Sequence, residues 1–484
     1  MFNQRVKLLI MKSRLVGERG TPFVDGTWPS AILHDITLKR DHEMLDKSEF
    51  LERRQRLFDQ LEPGSIVVIA SATEQQRNND VMFPFRQNSD FHYLTGFPEN
   101  DAVLVLRRGV NKNEMILFSK VQDPQHERWT GPIVGQTKAA ELYGADIAHP
   151  ISALNEKMPE LLADYQRVYA FLNPTESLSN QLLRWIRELQ AKARTGVQAP
   201  EQFFDLRPIL HEMRLRKSPQ EIALMRCAAE ITAQGHQRLM RTLCANSFEY
   251  QLEAELVAEF TRHGARAQAY PPIVGGGANS CILHYGANNA PLNDGDLVLI
   301  DAGCEWEHYA SDVTRTLPVN GRFSPEQKAI YELVLAAQMA VIERVAPGVR
   351  WDKLQEIAVD IITTGLVKLG ILSGKVEQLI EERAYTRFYM HNIGHWIGLD
   401  VHDVGAYKIK GEWRTLEPGI VLTVEPGIYI SAGEMGVAQK WWNIGVRIED
   451  DVLVTSTGYE VLTAMIPKTV DEIENIISRP AVPA

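Results

Sequence analysis

The chain has 484 residues, too many for one ordinary hydrophobic core, so two domains are expected. Its 45% apolar and 23% charged residues are those of a globular protein, and a net charge of −11 without a strong basic block argues against nucleic acid as a partner. The four cysteines, Cys227, Cys244, Cys281 and Cys304, are widely spaced with no CxxC pair, which is the usage of a reducing compartment such as the cytoplasm. No apolar run approaches the roughly 20 residues that a membrane span needs, so no membrane partner is expected.

Residues 1–43 carry Arg5, Lys7, Lys12 and Arg14 before their first acid, Glu18. They read as a weakly packed leader or an upstream start. The alternative is a mitochondrial transit peptide, which would change the compartment. The apolar stretch of a secretory signal is missing. Ordered structure is expected from about Met44. Phe50, Leu57, Phe58 and Leu61 share one helical face, and 65–70, 102–108 and 114–120 are short apolar runs that predict strands. Alternating helical and extended segments over 44–205 describe a smaller α/β domain, with the polar stretch 193–202 as a linker.

A second domain, 206–470, opens with Ser218-Pro219-Gln220-Glu221, a capping box with proline at the first helical position. The punctuation recurs at Ser324-Pro325-Glu326-Gln327. A third helix begins near Asp352 and stops before Gly370. Beyond Tyr389 the pattern is extended, so helices on one face of a mostly antiparallel sheet, an α+β domain, are expected, with 471–484 as a tail.

This second domain carries the chemistry. Asp301 ends the run LVLI, Gly303 permits a turn, and Asp312 follows eleven residues after Asp301, a spacing that suits a hairpin presenting two carboxylates to one point. Either aspartate alone would be an ordinary solvated turn residue. Glu425 ends another apolar run, and the alternation in NIGVRIE puts Arg447 and Glu449 on one face, opposite Val446 and Ile448. Between them, HNIGHWIGLDVHD places His391, His395 and His402, three of thirteen histidines, in one short stretch. The spacing does not fit a helical HExxH motif. Ionised carboxylates in apolar runs are costly to bury unless compensated. Four carboxylates and a histidine are what two divalent cations require, and oxygen-rich ligation favours Mn²⁺, with Zn²⁺, Co²⁺ and Fe²⁺ as competitors.

The order Asp, Asp, His, Glu, Glu, with HxxGHxxGxxxHD in its middle, resembles the proline-peptidase branch of the pita-bread metallopeptidases, the aminopeptidase P family. The stretch RQNSDFHYLTGF (86–97) is similar to the N-terminal domain of that family, and Asn392 stands where a glycine is more common. The resemblance implies a C-terminal pita-bread domain, with Asp312 and Glu449 bridging two metals, Asp301 on one ion, and His395 with Glu425 on the other. It implies that His284, His391 and His402 hold the scissile carbonyl and the proline, and that Arg447 and Tyr429 lie near the pocket for the second amino acid. The implied activity is hydrolysis of the first peptide bond before a proline by a hydroxide bridging the metals, with Glu425 moving its proton. The implied partners are peptides with proline at position two and further copies of the chain, as a dimer or tetramer. Prolidase, which cleaves only Xaa-Pro dipeptides, is the alternative. A non-catalytic pita-bread binding module would be expected to lose ligands, and all five are present.

The leader reading has a direct check. Deleting residues 1–43 is expected to leave melting temperature and peptidase rate unchanged, whereas a large loss of either would make the segment part of the fold or of a subunit contact.

Overall fold

The computed structural model describes residues 45–171 and 177–477; the expected leader and residues 478–484 lie outside the described residues. From Leu45 onward the chain forms one compact unit.

In its N-terminal part, Ser65–Ala70, Val103–Arg108 and Asn113–Ser119 are strands. Their unbroken apolar sequences follow from burial on both faces. Val67, Ile69, Leu104, Leu106 and Leu117 pack into one core, while Ile66, Val68, Val105, Ile116 and Phe118 pack into another. The sheet has six strands, in the order Ile147–Pro150, Asn113–Ser119, Val103–Arg108, Ser65–Ala70, Arg167–Ala170 and Gln202–Asp205. The two ladders on either side of Val103–Arg108 are antiparallel and the other three parallel. The segment read as a linker begins with a single 3-10 turn, Ala193–Thr195, is irregular over 196–201, and ends at Gln202, the first residue of the edge strand. Helix Lys47–Gln60, capped by Asp46, buries Phe50, Leu57 and Phe58.

The C-terminal part matches the expected α+β pattern. Helices Pro219–Thr242 and Pro325–Arg344 both begin with complete capping boxes, on Ser218/Glu221 and Ser324/Gln327. Helix Trp351–Lys368 is followed by Gly370 at φ +71°, which only glycine adopts without cost. Strand Leu297–Asp301 pairs antiparallel with Ile273–Gly276 and Thr314–Pro318. Val421–Val424 pairs antiparallel with Asp450–Val454, and Gly427–Ile430 with Ile444–Arg447. The expected tail begins as a helix, Val470–Ile477, because Val470 and Ile473 are apolar side chains buried in the main core.

Charges shielded from water fasten the two parts together. The Arg53 side chain, 0% exposed, lies 3.1 Å from Glu49 and 3.4 Å from Glu221, the capping residue of the C-terminal part. Arg53 also donates to Tyr309 Oη at 3.2 Å, and that hydroxyl donates to Glu221 at 2.9 Å. Removing one partner of a buried ion cluster leaves the others uncompensated, at a cost of about 3–5 kcal/mol. Arg53→Met is therefore expected to lower the urea midpoint strongly, while a midpoint near that of the parent would show that the cluster carries no stability.

Candidate active site

Asp301 and Asp312 reach the same place because the hairpin carrying them folds back on itself. Asp301 is in register with Thr314, and the Ala302 amide donates to the Val313 carbonyl at 3.0 Å. Gly303 serves close approach rather than the turn expected of it. A Cβ there would lie 1.7 Å from the Ser311 carbonyl oxygen. Gly394 has the same role before His395, since its Cβ would meet the Thr423 carbonyl oxygen at 2.0 Å. That approach lets the His395 amide donate to Thr423 Oγ1 at 3.0 Å and the Thr423 amide donate to the His395 carbonyl at 2.9 Å. Val446 and Ile448 are buried in the core, so Arg447 and Glu449 face the cavity on the opposite side, as the alternation requires.

A cavity of about 790 Å³ is lined by Asp301, Asp312, His395, Glu425, Glu449, Arg447, His284, His391 and His402. Tyr429 stands behind them, accepting from Arg447 Nη1 at 2.9 Å and bonding to His391 Nε2 at 2.9 Å. His391 Nδ1 is 2.8 Å from the Asn392 carbonyl. These contacts assign a proton to His391 Nδ1 and make Nε2 the acceptor for Tyr429. His395 Nδ1 likewise faces the Trp396 carbonyl at 3.0 Å, which turns Nε2 toward Asp312 at 3.3 Å and Glu425 at 3.7 Å. Ligand atoms of Asp312, His395 and Glu449 lie within 4.8 Å of one another, a spacing one cation can bridge. Arg447 Nη2 holds Asp301 at 2.7 Å, and Thr314 Oγ1 donates to Glu449 at 2.6 Å. His402 packs edge-on to His395, with ring centroids 4.3 Å apart.

One participant carries no sequence signal. Tyr270 Oη is 2.5 Å from both Asp301 and Asp312. A phenol has one proton, so both contacts are hydrogen bonds only if one carboxyl is itself protonated. Tyr270 lies 31 residues before Asp301 in a Tyr-Pro-Pro stretch, where nothing but the fold links it to the carboxylates.

The electrostatics describe a site short of positive charge. Burial, then Asp312, pushes Glu449 well above the usual carboxylate range. Burial pushes Glu425 up to about 7 despite His395 and Arg447. Burial also raises Asp301, which Arg447 only partly offsets and the neighbouring Asp312 reinforces. Asp312 alone is held low: burial is the largest single effect and raises it, but the hydrogen bond and charge of His395, with Tyr270 and Arg447, together outweigh it. His395 is raised to about 9 against burial by Asp312 and Glu425, whereas burial and Arg447 lower His391 to about 4. This donor set, oxygen-rich with one imidazole, fits divalent cations and leaves protons to be displaced by them.

Residues 223–456 match the model of Metallopeptidase family M24, and residues 50–169 match that of the Aminopeptidase P, N-terminal domain. The Xaa-Pro aminopeptidase of Haemophilus influenzae is 46% identical over 90% of this chain and 98% of its own. Xaa-Pro aminopeptidase 3 of mouse is 36% identical over 93% of this chain and 90% of its own. The structure of the Pseudomonas aeruginosa aminopeptidase PepP superposes with a TM-score of 0.89 at 51% identity, covering 90% of this chain and 99% of that one. The chain belongs to metallopeptidase family M24, in its aminopeptidase P branch, a family that uses divalent metal ions.

The raised carboxyls fix the sign of a pH effect. An acid whose pKa is higher folded than unfolded weakens the fold as pH climbs past its ordinary value, because the buried charge goes uncompensated. Glu449, Glu425 and Asp301 are all of this kind. A cation binding their ionised forms must displace protons, and His395 must also lose its own. The thermal stabilisation given by a fixed Mn²⁺ concentration is therefore expected to grow between pH 6 and 8, with protons released on titration. A stabilisation that is flat or shrinks over that window would contradict this charge assignment.

Proposed function

We propose that this chain is an Xaa-Pro aminopeptidase, releasing the first residue of peptides whose second residue is proline. The observation that carries this reading is the convergence of Asp301, Asp312, His395, Glu425 and Glu449 on one cavity, in a chain collinear with enzymes of that name. An Escherichia coli aminopeptidase P that superposes on 90% of this chain with a TM-score of 0.87 was solved with the inhibitor Pro-Leu. The names of these relatives favour the aminopeptidase over prolidase.

We assign Asp301, Asp312, His395, Glu425 and Glu449 as the residues that would hold two divalent ions, with Mn²⁺ as the favoured metal. When bound, the ions would supply Lewis acidity and lower the pKa of an attacking water. The remaining work belongs to the chain. Glu425, whose raised carboxyl would give up its proton as the cations bind, would as a carboxylate take a proton from the attacking water and pass it to the departing proline nitrogen. His402 and His284 stand at the exposed rim, where they flank the scissile carbonyl and the proline, and His402 donates to the developing oxyanion. His391, kept neutral by burial and Arg447 and oriented by Tyr429, faces the same space. Arg447 and Tyr429 bind substrate from the cavity floor. A tertiary amide lacks the N–H on which general peptidases rely, so the bond before proline needs such a dedicated site.

The cytoplasm is the compartment we assign, in keeping with the thiols of Cys244, Cys281 and Cys304 and the bacterial relatives. No helix among the described residues is long and apolar enough to cross a membrane. A homo-oligomer, dimer or tetramer, would cover the exposed Trp129 and Met435, which are 88% and 84% accessible.

Two substitutions separate the roles. Glu425→Gln is expected to lower turnover of an Xaa-Pro-Yaa tripeptide at least ~10²-fold and to reduce metal content. His402→Ala is expected to lower turnover about 10²–10³-fold with both ions retained. Near-normal turnover of the His402 variant would remove the oxyanion role. Cleavage of Xaa-Pro dipeptides with no action on tripeptides would replace the aminopeptidase with prolidase.

A further inference from the structure

The cavity has a closed end and an open end. Asp301, Arg447, Tyr429 and Glu449 are 8%, 3%, 3% and 2% exposed, whereas His284 and His402 are exposed, as is the turn of the hairpin that ends at Trp413. An aminopeptidase must receive the substrate's amino terminus at the closed end. The chain beyond the second residue therefore leaves past the two rim histidines. The same cavity is lined by Trp351, Tyr407 and Trp413, aromatic residues to which the hydrolysis assigns no role. Half-buried Tyr407 and Trp413 stand on the segment and hairpin that follow the rim residue His402, and buried Trp351 backs them.

These rings are held rigidly. Tyr407 lies flat on the fully buried Trp396, with centroids 4.8 Å apart and planes 10° apart, and its hydroxyl accepts from the Trp396 amide at 3.1 Å. Trp351 closes against Trp396 and Tyr407 at 4.4 and 5.2 Å. Trp413 sits on a hairpin in which Lys408 pairs with Trp413 and Ile409 with Glu412. The two turn residues, Lys410 and Gly411, have φ of +51° and +88°, the type I′ sign pattern that matches strand twist and fixes a short hairpin. The Trp351 amide donates to the Arg414 carbonyl at 2.9 Å, which ties the helix start to the hairpin, and Lys408 Nζ covers the Trp413 ring at 4.3 Å.

We propose that Trp351, Tyr407 and Trp413 form the subsite for the side chain of the substrate's third residue, and that they select Xaa-Pro-Yaa peptides in which Yaa is large and apolar or aromatic. The proposal rests on the aminopeptidase reading above. Rigid flat rings offer apolar contact with little ordering cost. A glycine at Yaa leaves them facing water. Binding at a position remote from the reacting bond appears in kcat/KM, and one such pocket discriminates by about tenfold or more.

The test uses the manganese-loaded full chain on two peptide sets, Ala-Pro-Yaa and Xaa-Pro-Gly, with Gly, Ala, Leu and Phe at the varied position. The wild type is expected to favour Phe over Gly at Yaa by about tenfold or more in kcat/KM. Trp413→Ala should shrink that ratio to about twofold and Trp413→Phe should restore most of it, with the ranking of Xaa preserved in both variants. A wild type indifferent to Yaa overturns the subsite, as does a Yaa preference that survives Trp413→Ala. A Trp413→Ala variant that reorders Xaa instead assigns the wall to the first residue and equally overturns it. Hydrolysis without Yaa preference removes the subsite alone, while a wild type that cleaves no peptide of either set removes the aminopeptidase reading and the subsite with it.

Discussion

Four carboxylates share one buried cavity with a single arginine and a single ligand-positioned histidine. Two like charges 4 Å apart repel by about 4 kcal/mol at the effective dielectric of a protein, and a free chain would move them apart or into water. Here each is pinned by its own backbone. The Asp312 amide donates to Asp451 at 3.1 Å, the Glu449 amide to the Thr314 carbonyl at 3.1 Å, and the Glu425 amide to the Ile393 carbonyl at 2.8 Å. Asp301 is fixed as the last residue of a fully buried strand. The carboxyls cannot separate, so Glu449, Glu425 and Asp301 hold their protons more tightly than free carboxyls until cations replace them. That converts an electrostatic penalty of the empty fold into affinity for the metal.

The histidine segment shows the same logic at longer range. Residues 391–403 contain no helix or ladder strand, yet both flanks are anchored. On one side Thr423 grips His395. On the other, Asp403, next to His402, lies 2.9 Å from Lys217 and 2.6 Å from Arg214, all three buried. Arg214 also reaches Asp400 at 2.6 Å, and from the N-terminal part Ser89 donates to Asp400 at 2.6 Å and Arg86 to the Leu399 carbonyl at 2.5 Å. The residues lining the catalytic cavity all fall between 270 and 449. Among the described residues, then, the N-terminal part supplies no cavity wall. It holds the loop that carries the rim histidine.

Local chemistry was legible in the sequence. The capping boxes at Ser218 and Ser324 depend on residues three apart, and the facing of Arg447 and Glu449 depends on a period of two, so both could be read without the fold. The order of the carboxylates and histidines carried the family. What stayed hidden is what tertiary contact alone creates. Tyr270, the role of Gly303 in close approach, and the pairing of Arg53 with Glu221 across the two parts all join residues with no shared period or motif. Helix Val470–Ile477 is a milder case. Its spacing is helical, but two buried residues near a chain end are too few to separate a docked helix from a tail.

Three consecutive acids show why burial has to be judged residue by residue. Glu449, Asp450 and Asp451 are all nearly inaccessible, so burial alone does not rank them. Alternation turns Asp450 away from the cavity, where Arg315 at 2.7 Å and Lys468 at 2.7 Å overcome its burial and draw its carboxyl down to about 2. It is a structural anion, neutralised by its own chain. Asp451 meets no cation; burial and Asp312 push it well above the usual range, and its Oδ2 accepts from the Ser311 hydroxyl at 2.9 Å and the Asp312 amide at 3.1 Å. It positions a ligand. Glu449 faces the cavity with Thr314 as its hydrogen-bond donor and other carboxylates as neighbours, so its missing countercharge must come from outside the chain. Burial is nearly equal in all three: Asp450 is set apart by its two internal cations, and Glu449 is set apart from Asp451 by the cavity it faces.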